Sequence, residues 1–276
     1  MSAIPGRLVL LGHPVSHSLS PVMHNAALMS AGFDLEYEAL DVLPERLTLT
    51  LAELRRENAA GNVTAPHKPA VFQAMNRLSP LAERVGAVNT FRVMKNGDFL
   101  GHNTDAEGFD ELVLRTLGYM PQNARVAVIG AGGSAAAVLA ALEKWKNVRV
   151  TICARRPEAA NALAERFKGV ARVEPMPLEN TIGCDIVVNA TTIGLNDDSF
   201  PIPFDAFPRT TAVLDLVYRP NETAWVRAAR DEGMVASDGL PMLLEQGASS
   251  FELWFGRSPD RNVMWQALRE ATGRRS

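Results

Sequence analysis

Short apolar runs of Val, Ile and Leu alternate with amphipathic segments along the chain, the pattern of βαβ units around a mainly parallel sheet. The fold class read from it is α/β. The pattern predicts a strand over Arg7 to Gly12, a helix from Pro21 to about Ser30, a strand near Tyr37 to Val42, a helix from Pro44 to about Asn58 and a strand entering Gly61-Asn62-Val63-Thr64. Pro66 stands where a helix can open, and Ser79-Pro80 opens another, because proline suits a first turn that needs no N–H partner. Val88 to Val93, Lys95-Asn96-Gly97-Asp98 and Phe99-Leu100 read as a hairpin turning on Asn-Gly.

Ala106 to Leu117 reads as a linking helix, and a second α/β series begins at Arg125 with the strand Val126-Ala127-Val128-Ile129, so a boundary falls near residue 105. Leu240 to Gly256 and Asp260 to about Thr272 are helical with no strand of their own. Periodicity alone leaves open where this last segment packs. At roughly 100–200 residues per domain, a chain of 276 residues suits two domains.

Composition narrows the classes. With 28 Lys+Arg against 31 Asp+Glu the net charge is −3, which supplies no overall field for nucleic acid or an anionic membrane. The near-apolar run Ala135 to Leu142 is far short of the ~20 residues that cross a bilayer, and the reading is a cytoplasmic protein. Cys153 and Cys184 have no second pair with which to cage a metal and read as buried free thiols. None of the five histidines forms H-E-x-x-H, so no metal is expected, and no G-x-S-x-G marks a serine hydrolase.

Gly130-Ala131-Gly132-Gly133-Ser134-Ala135 follows an apolar strand and opens an Ala/Leu-rich helix, the context in which G-x-G-x-x-A signals a dinucleotide site. Its glycines permit a tight turn and close approach to a pyrophosphate at the helix N-terminus. The next strand, Val148 to Cys153, ends in Ala154-Arg155-Arg156 rather than in the acidic residue that binds the ribose hydroxyls of NAD. Guanidiniums cannot accept hydrogen bonds but can hold a 2′-phosphate, so the pair points to NADP. It also argues against an S-adenosylmethionine methyltransferase, whose cofactor has no phosphate. The bland alternatives are a ligand-free glycine turn and two solvated arginines.

Further polar residues gather before residue 106: His17-Ser18-Leu19-Ser20-Pro21, Asn62 to Lys68, Gly86 to Thr90 and Asn103-Thr104-Asp105. If the strands are parallel, several of these loops share one sheet edge, where open α/β folds bind ligands. Ser20 and Asp105 have the alternative of simple helix caps, and Asn62, Asn89 and Asn103 that of closing turns. Lys68 is one of five lysines against 23 arginines, so charge alone does not explain it.

These residues, with Gly130 to Gly133, Asn189-Ala190-Thr191, Asp215-Leu216-Val217-Tyr218 and Asp238-Gly239-Leu240-Pro241-Met242-Leu243 plus Gln246, resemble the shikimate dehydrogenase family in order and over nearly the whole chain. The resemblance implies an N-terminal α/β substrate domain (1–105 plus 240–276) and a Rossmann-like NADP-binding domain (106–239) with a cleft between them. It implies reversible NADPH-dependent reduction of 3-dehydroshikimate to shikimate, in the route to chorismate and the aromatic amino acids. Lys68 is then the acid in reduction and the base in oxidation, with Asp105 beside it, or a cation that polarises the carbonyl while Asp105 handles the proton. Ser18, Ser20 and Tyr218 would bind the ring carboxylate, and Thr64, Asn89, Asp105 and Gln246 the ring hydroxyls. Gly130, Ala131, Gly132, Gly133, Ser134, Ala135, Arg155, Arg156, Thr191, Gly239 and Met242 would bind the cofactor, Met242 against the nicotinamide. The chain departs from the family's usual Asn-Arg-Thr at Ala154-Arg155-Arg156, where Arg156 replaces a hydroxyl with a second cation. The implied partner is a small molecule, with no nucleic acid and no membrane, for a monomer or homodimer. The alternatives are a quinate/shikimate dehydrogenase with relaxed cofactor use and a non-catalytic NADP-binding regulator, the latter with no need of both Lys68 and Asp105.

Overall fold

The computed structural model describes residues 4–169, 173–176 and 183–274. In chain order the first elements are β1 (Arg7–Gly12), α1 (Ser20–Ser30), β2 (Tyr37–Asp41), α2 (Leu47–Arg56), β3 (Ala59–Val63), α3 (Lys68–Ala74), β4 (Arg77–Leu78), α4 (Pro80–Val85), β5 (Thr90–Val93), β6 (Phe99–His102) and α5 (Asp105–Leu117). The rest are β7 (Arg125–Ile129), α6 (Gly133–Leu142), β8 (Arg149–Cys153), α7 (Pro157–Arg166), β9 (Val173–Met176), β10 (Ile186–Asn189), β11 (Ala212–Asp215), α8 (Ala224–Asp231), β12 (Ala236–Ser237), α9 (Leu240–Phe255) and α10 (Arg261–Thr272). The fold is α/β, and contacts divide it into two compact units, residues 1–105 with 243–276 and residues 106–242.

The sheet of the first unit runs β2-β1-β3-β5-β6-β4. β1 pairs in parallel with both β2 and β3, whereas β5 is antiparallel to β3 and to β6. Leu8-Val9-Leu10-Leu11 is continuously apolar because β1 is covered on both faces. Val9 and Leu11 pack with Leu47, Leu51 and Leu54 of α2, Val71 of α3, and Phe91 and Phe99 of the hairpin. On the other face Tyr37, in register with Leu8, stacks on His24 of α1 at 4.5 Å and lies 5.9 Å from Trp254 of α9. Gly247 of α9 faces α1, where a Cβ would stand 2.2 Å from Met23 Cε and the methionine would have to shift.

Two proline expectations need correction. Pro66 opens no helix: the Ala65–Pro66 peptide is cis, and α3 starts two residues later at Lys68, with Pro69 in its first turn. Pro44 opens a 3-10 turn, Pro44–Arg46, and the α-helix begins only at Leu47. Ser79 does cap α4, accepting from the Ala82 N–H at 3.1 Å, and Gly86 ends it in the left-handed region at φ 71°.

The second unit holds a wholly parallel sheet, β12-β11-β10-β7-β8-β9. Numbered from β7 this is the 3-2-1-4-5-6 order of dinucleotide-binding folds, with its switch point between β7 and β10. Val126 to Ile129 and Ala135 to Leu142 are buried throughout, so α6 is apolar all round.

His24 is completely buried, and among the described residues neither ring nitrogen has a hydrogen-bond partner. Burial pushes it from 6.5 down to about 3; Asn62, which approaches without forming a hydrogen bond, offsets little of this. The unfolded chain takes up this proton first as pH falls, so stability drops with pH across that window, by about 1.4 kcal/mol per unit. His24→Phe, which keeps a ring in the stack, is therefore expected to lose ~2 kcal/mol less than wild type between about pH 6 and 4.5. Thermal unfolding of both proteins across that range checks it, and equal pH slopes would refute it.

Candidate active site

The carboxyl ends of β1 and β3 lie on one edge of the first sheet. Because β5 is antiparallel to β3, with Thr90 opposite Asn62, its amino end meets the same edge, and β6 returns its carboxyl end there opposite Thr90. The loops bearing Ser18, Thr64, Lys68, Asn89 and Asp105 thus converge although the sheet is mixed. The expectation of a shared edge rested on parallel strands; the edge is shared through a hairpin.

Lys68 is the first residue of α3 and Asp105 the first of α5, where a carboxylate suits the helix amino end. Lys68 Nζ donates to Asp105 Oδ2 at 2.6 Å, and the two side chains are 20% and 9% exposed. Asn89 Nδ2 donates to Asp105 Oδ1 at 2.6 Å and to Thr104 Oγ1 at 3.0 Å, while Asn89 Oδ1 accepts from the Thr104 N–H at 2.8 Å. Asn103 Oδ1 accepts the Asp105 N–H, and Asn103 Nδ2 donates to the Ala87 carbonyl. Asp105 is thus no simple cap, and Asn89 does more than close a turn, since it orients the carboxylate against the ammonium; Asn103 closes the turn into α5 and ties it to Ala87.

Ser20 is no helix cap either. The cap position is Leu19, and the Ser20 N–H reaches Ser18 Oγ at 3.3 Å, drawing the two hydroxyl-bearing residues together. Thr64 is half-buried beside Gly12, where a Cβ would stand 2.4 Å from Thr64 Cγ2. α9 enters through Ser250, whose Oγ donates to the Gln246 carbonyl and receives Asn62 Nδ2 at 2.9 Å. Ser250 also lies 3.3 Å from Thr104 Oγ1, so one turn of α9 ties Gln246 to the loop that carries Asp105. Gln246 itself is buried and turns its Nε2 to the Leu243 carbonyl at 2.9 Å. The sequence reading gave Ser250 no role; its only signal is the i, i+4 spacing from Gln246.

In the second unit Gly130 ends β7 at φ 115°, and a Cβ there would come 2.9 Å from the Ala190 carbonyl oxygen. Only glycine lets the β7 and β10 loops pass so closely. Gly132 is different: a Cβ would meet no protein atom within 4 Å, so protein packing does not demand glycine there. Gly132 holds the cap position of α6 without a capping side chain, which leaves the first-turn N–H groups for an anion. Arg155 and Arg156 are exposed at the end of β8, and no ion pair holds either guanidinium among the described residues. Bare glycine backbone, an uncapped helix N-terminus and two unpaired cations fit a phosphorylated dinucleotide.

At the neighbouring strand ends, Thr191 donates its N–H and its hydroxyl to Asn189 Oδ1, at 3.0 and 2.7 Å, and accepts from the Ile193 N–H. Asn189 Nδ2 donates to Asp215 Oδ1 at 2.8 Å, an oxygen that also takes the Val217 N–H at 3.0 Å. Thr223 donates to Asp215 Oδ2 at 2.8 Å. Burial pushes the Asp215 carboxyl up to about 6 and nearby Asp238 adds to the rise, against the hydrogen bonds from Thr223, Val217 and Asn189 that favour the carboxylate. Tyr218 follows Val217 and is half-buried, Gly239 passes Leu216 so closely that a Cβ would lie 2.2 Å from its oxygen, and Met242 is buried in α9. Tyr218 belongs to the second unit, Ser18 and Ser20 to the first.

Among the described residues no group of three or more His, Cys, Asp or Glu could hold a metal ion, and no helix is long and apolar enough to cross a membrane.

The chain matches three family descriptions in succession: shikimate dehydrogenase substrate binding domain over residues 10–91, shikimate/quinate 5-dehydrogenase over 111–194, and shikimate 5′-dehydrogenase C-terminal domain over 239–269. It is 45% identical over 267 residues to the shikimate dehydrogenase (NADP(+)) of Rubrobacter xylanophilus, covering 94% of each chain. It is 43% identical over 268 residues to that of Thermus thermophilus, covering 97% of this chain and 99% of the relative. The crystal structure of the Thermus enzyme in complex with NADP(H) and shikimate superposes with a TM-score of 0.87 over 96% of this chain and 99% of that one. Quinate dehydrogenase from Corynebacterium glutamicum in complex with NAD also superposes with a TM-score of 0.87, at 28% identity over 95% of this chain and 98% of that one. A sheet edge that pairs Lys68 with Asp105, a parallel sheet with an open glycine turn, and 43–45% identity over nearly the whole chain lead to one assignment: the chain belongs to the shikimate dehydrogenase family.

Proposed function

We propose that this chain catalyses the reversible NADP-linked interconversion of 3-dehydroshikimate and shikimate. The carrying observation is the 2.6 Å contact between Lys68 Nζ and Asp105 Oδ2 on a sheet edge ringed by hydroxyl and amide groups. We assign residues 1–105 with 240–276 to the substrate and 106–239 to NADP, which supplies or accepts the hydride when bound. In reduction, the Lys68 ammonium, held by Asp105, would give its proton from Nζ to the carbonyl oxygen; in oxidation the neutral Nζ would take the proton back from the hydroxyl and regain its pairing with Asp105.

Ser18, Ser20 and Tyr218 receive the ring carboxylate. Thr64, Asp105 and Gln246 receive ring hydroxyls, and Asn89 reaches one by exchanging a bond it gives here to Thr104 or Asp105. Such a pocket rejects analogues lacking a hydroxyl because its own polar groups stay unpaired. Gly130 to Ala135, Thr191, Gly239 and Met242 seat the cofactor, with Arg155 and Arg156 on its 2′-phosphate. A cytoplasmic monomer or homodimer completes the reading; burial pushes the thiols of Cys153 and Cys184 up to about 12 and 11, which suits inert structural cysteines.

Lys68→Ala is expected to lower kcat by ~10²- to 10⁴-fold with a smaller change in KM. Lys68→Arg keeps the charge but not the transferable proton, so it too should lose turnover. Steady-state kinetics on variants whose Tm shows them folded decide this: wild-type turnover in Lys68→Ala refutes the assignment, and activity retained only in Lys68→Arg leaves Lys68 a polarising cation. Arg155→Asp with Arg156→Asp is expected to weaken NADP⁺ by at least about tenfold and NAD⁺ far less. Equal loss in titrations with the two nucleotides would mean the pair does not read the 2′-phosphate.

A further inference from the structure

The buried carboxylate Asp215 has no part in the chemistry described above, and an unpaired charge is a costly filler for a position that is 0% exposed. Its bonds are divided. Oδ2 serves Thr223, whose hydroxyl oxygen caps α8 by accepting from the Val226 N–H. Oδ1 serves two loops at once: Asn189 Nδ2 at 2.8 Å and the Val217 N–H at 3.0 Å. The first loop continues from Asn189 Oδ1 to Thr191, and the second runs directly into Tyr218. The backbone repeats the link once, with the Leu216 N–H on the Asn189 carbonyl at 2.9 Å.

We infer that Asp215 is a positioning residue that sets the Thr191 loop and the Tyr218 loop with one oxygen, so that the proposed cofactor and substrate contacts of the second unit are held in a single arrangement. An acceptor that takes two N–H donors without offering a proton of its own suits this task. The inference rests on the function proposed above, in which Thr191 meets NADP and Tyr218 the substrate carboxylate. It predicts a division of labour within one carboxylate: losing the Oδ1 contacts impairs binding, whereas losing the Oδ2 contact impairs only the helix cap.

The test measures NADP⁺ binding by titration of the free protein, KM and kcat with shikimate, and Tm, in four variants. Asp215→Ala and Asn189→Asp, the second opposing two carboxylates without a change of size, are expected to weaken NADP⁺ and raise the shikimate KM by about tenfold each, because small misplacements of binding groups carry such costs. Asn189→Asp reads the contact from its other side should Asp215→Ala not fold. Asp215→Asn keeps an oxygen for Asn189 and Val217 and should restore both constants to within about threefold of wild type. Thr223→Val should lower Tm and leave both within about twofold. A lowered Tm with unchanged NADP⁺ binding and KM in Asp215→Ala and Asn189→Asp overturns the inference. A wild-type protein that binds no NADP⁺ overturns the functional reading beneath it.

Discussion

The contact between Lys68 Nζ and Asp105 Oδ2 joins two residues that are 37 apart in sequence and start different helices. It exists because β5 reverses. Strands β2, β1 and β3 run in parallel, and a further parallel strand would have sent the 86–89 loop to the opposite edge. Turning β5 and β6 into a hairpin brings Asn89 and then Asp105 back to the end of β3, where Lys68 waits. Asn89 then holds the carboxylate, Asn103 holds the Asp105 backbone N–H, and Thr104, itself in contact with Ser250 of α9, holds Asn89. Removing either charge leaves the other largely buried and alone, a loss of about 3–5 kcal/mol in comparable pairs.

The second unit depends on close approaches of backbone. Gly130 lets the loops after β7 and β10 pass closely at the switch point, and Gly239 brings the end of β12 against Leu216. Among the strand ends so crowded, Asp215 collects donors that would otherwise be buried without partners. His24 in the first unit and Asp215 in the second are both perturbed by burial, with opposite consequences. Acid removes stability at His24, whose folded form refuses the proton; it adds stability at Asp215 between its ordinary range and about 6, because the folded form binds the proton more tightly.

Much of the architecture was legible in the sequence because hydrophobic period and turn residues carried it: the buried run of β1, the Asn-Gly hairpin, the Ser79 cap and the Gly-rich strand-to-helix turn. Pro66 misled because proline suits both a helix start and a cis turn, and only the chain's path past Thr64 separates them. Ser20 stands where a cap would, and only the structure removes that alternative, since the cap position is Leu19 and the Ser20 N–H meets Ser18. Lys68, Asp105 and the two arginines stood out through residue type and position. Asp215, Ser250 and His24 did not show their contacts, since what each touches is set by long-range packing: Ser250 meets Asn62 across 188 residues. Asp215 lay within a quoted motif, yet nothing local to it shows that one oxygen serves two loops.

The central claim is tested most directly by following nicotinamide absorbance as the purified protein is given shikimate or quinate, each with NADP⁺ and with NAD⁺. Rapid reduction with shikimate and NADP⁺, and much slower rates in the other three mixtures, is the predicted result. Comparable rates with quinate or NAD⁺ would contradict the specificity drawn from Arg155, Arg156 and the hydroxyl-binding edge. Four flat traces from a protein that still binds NADP⁺ would leave the Rossmann-like unit intact and remove Lys68 and Asp105 from catalysis.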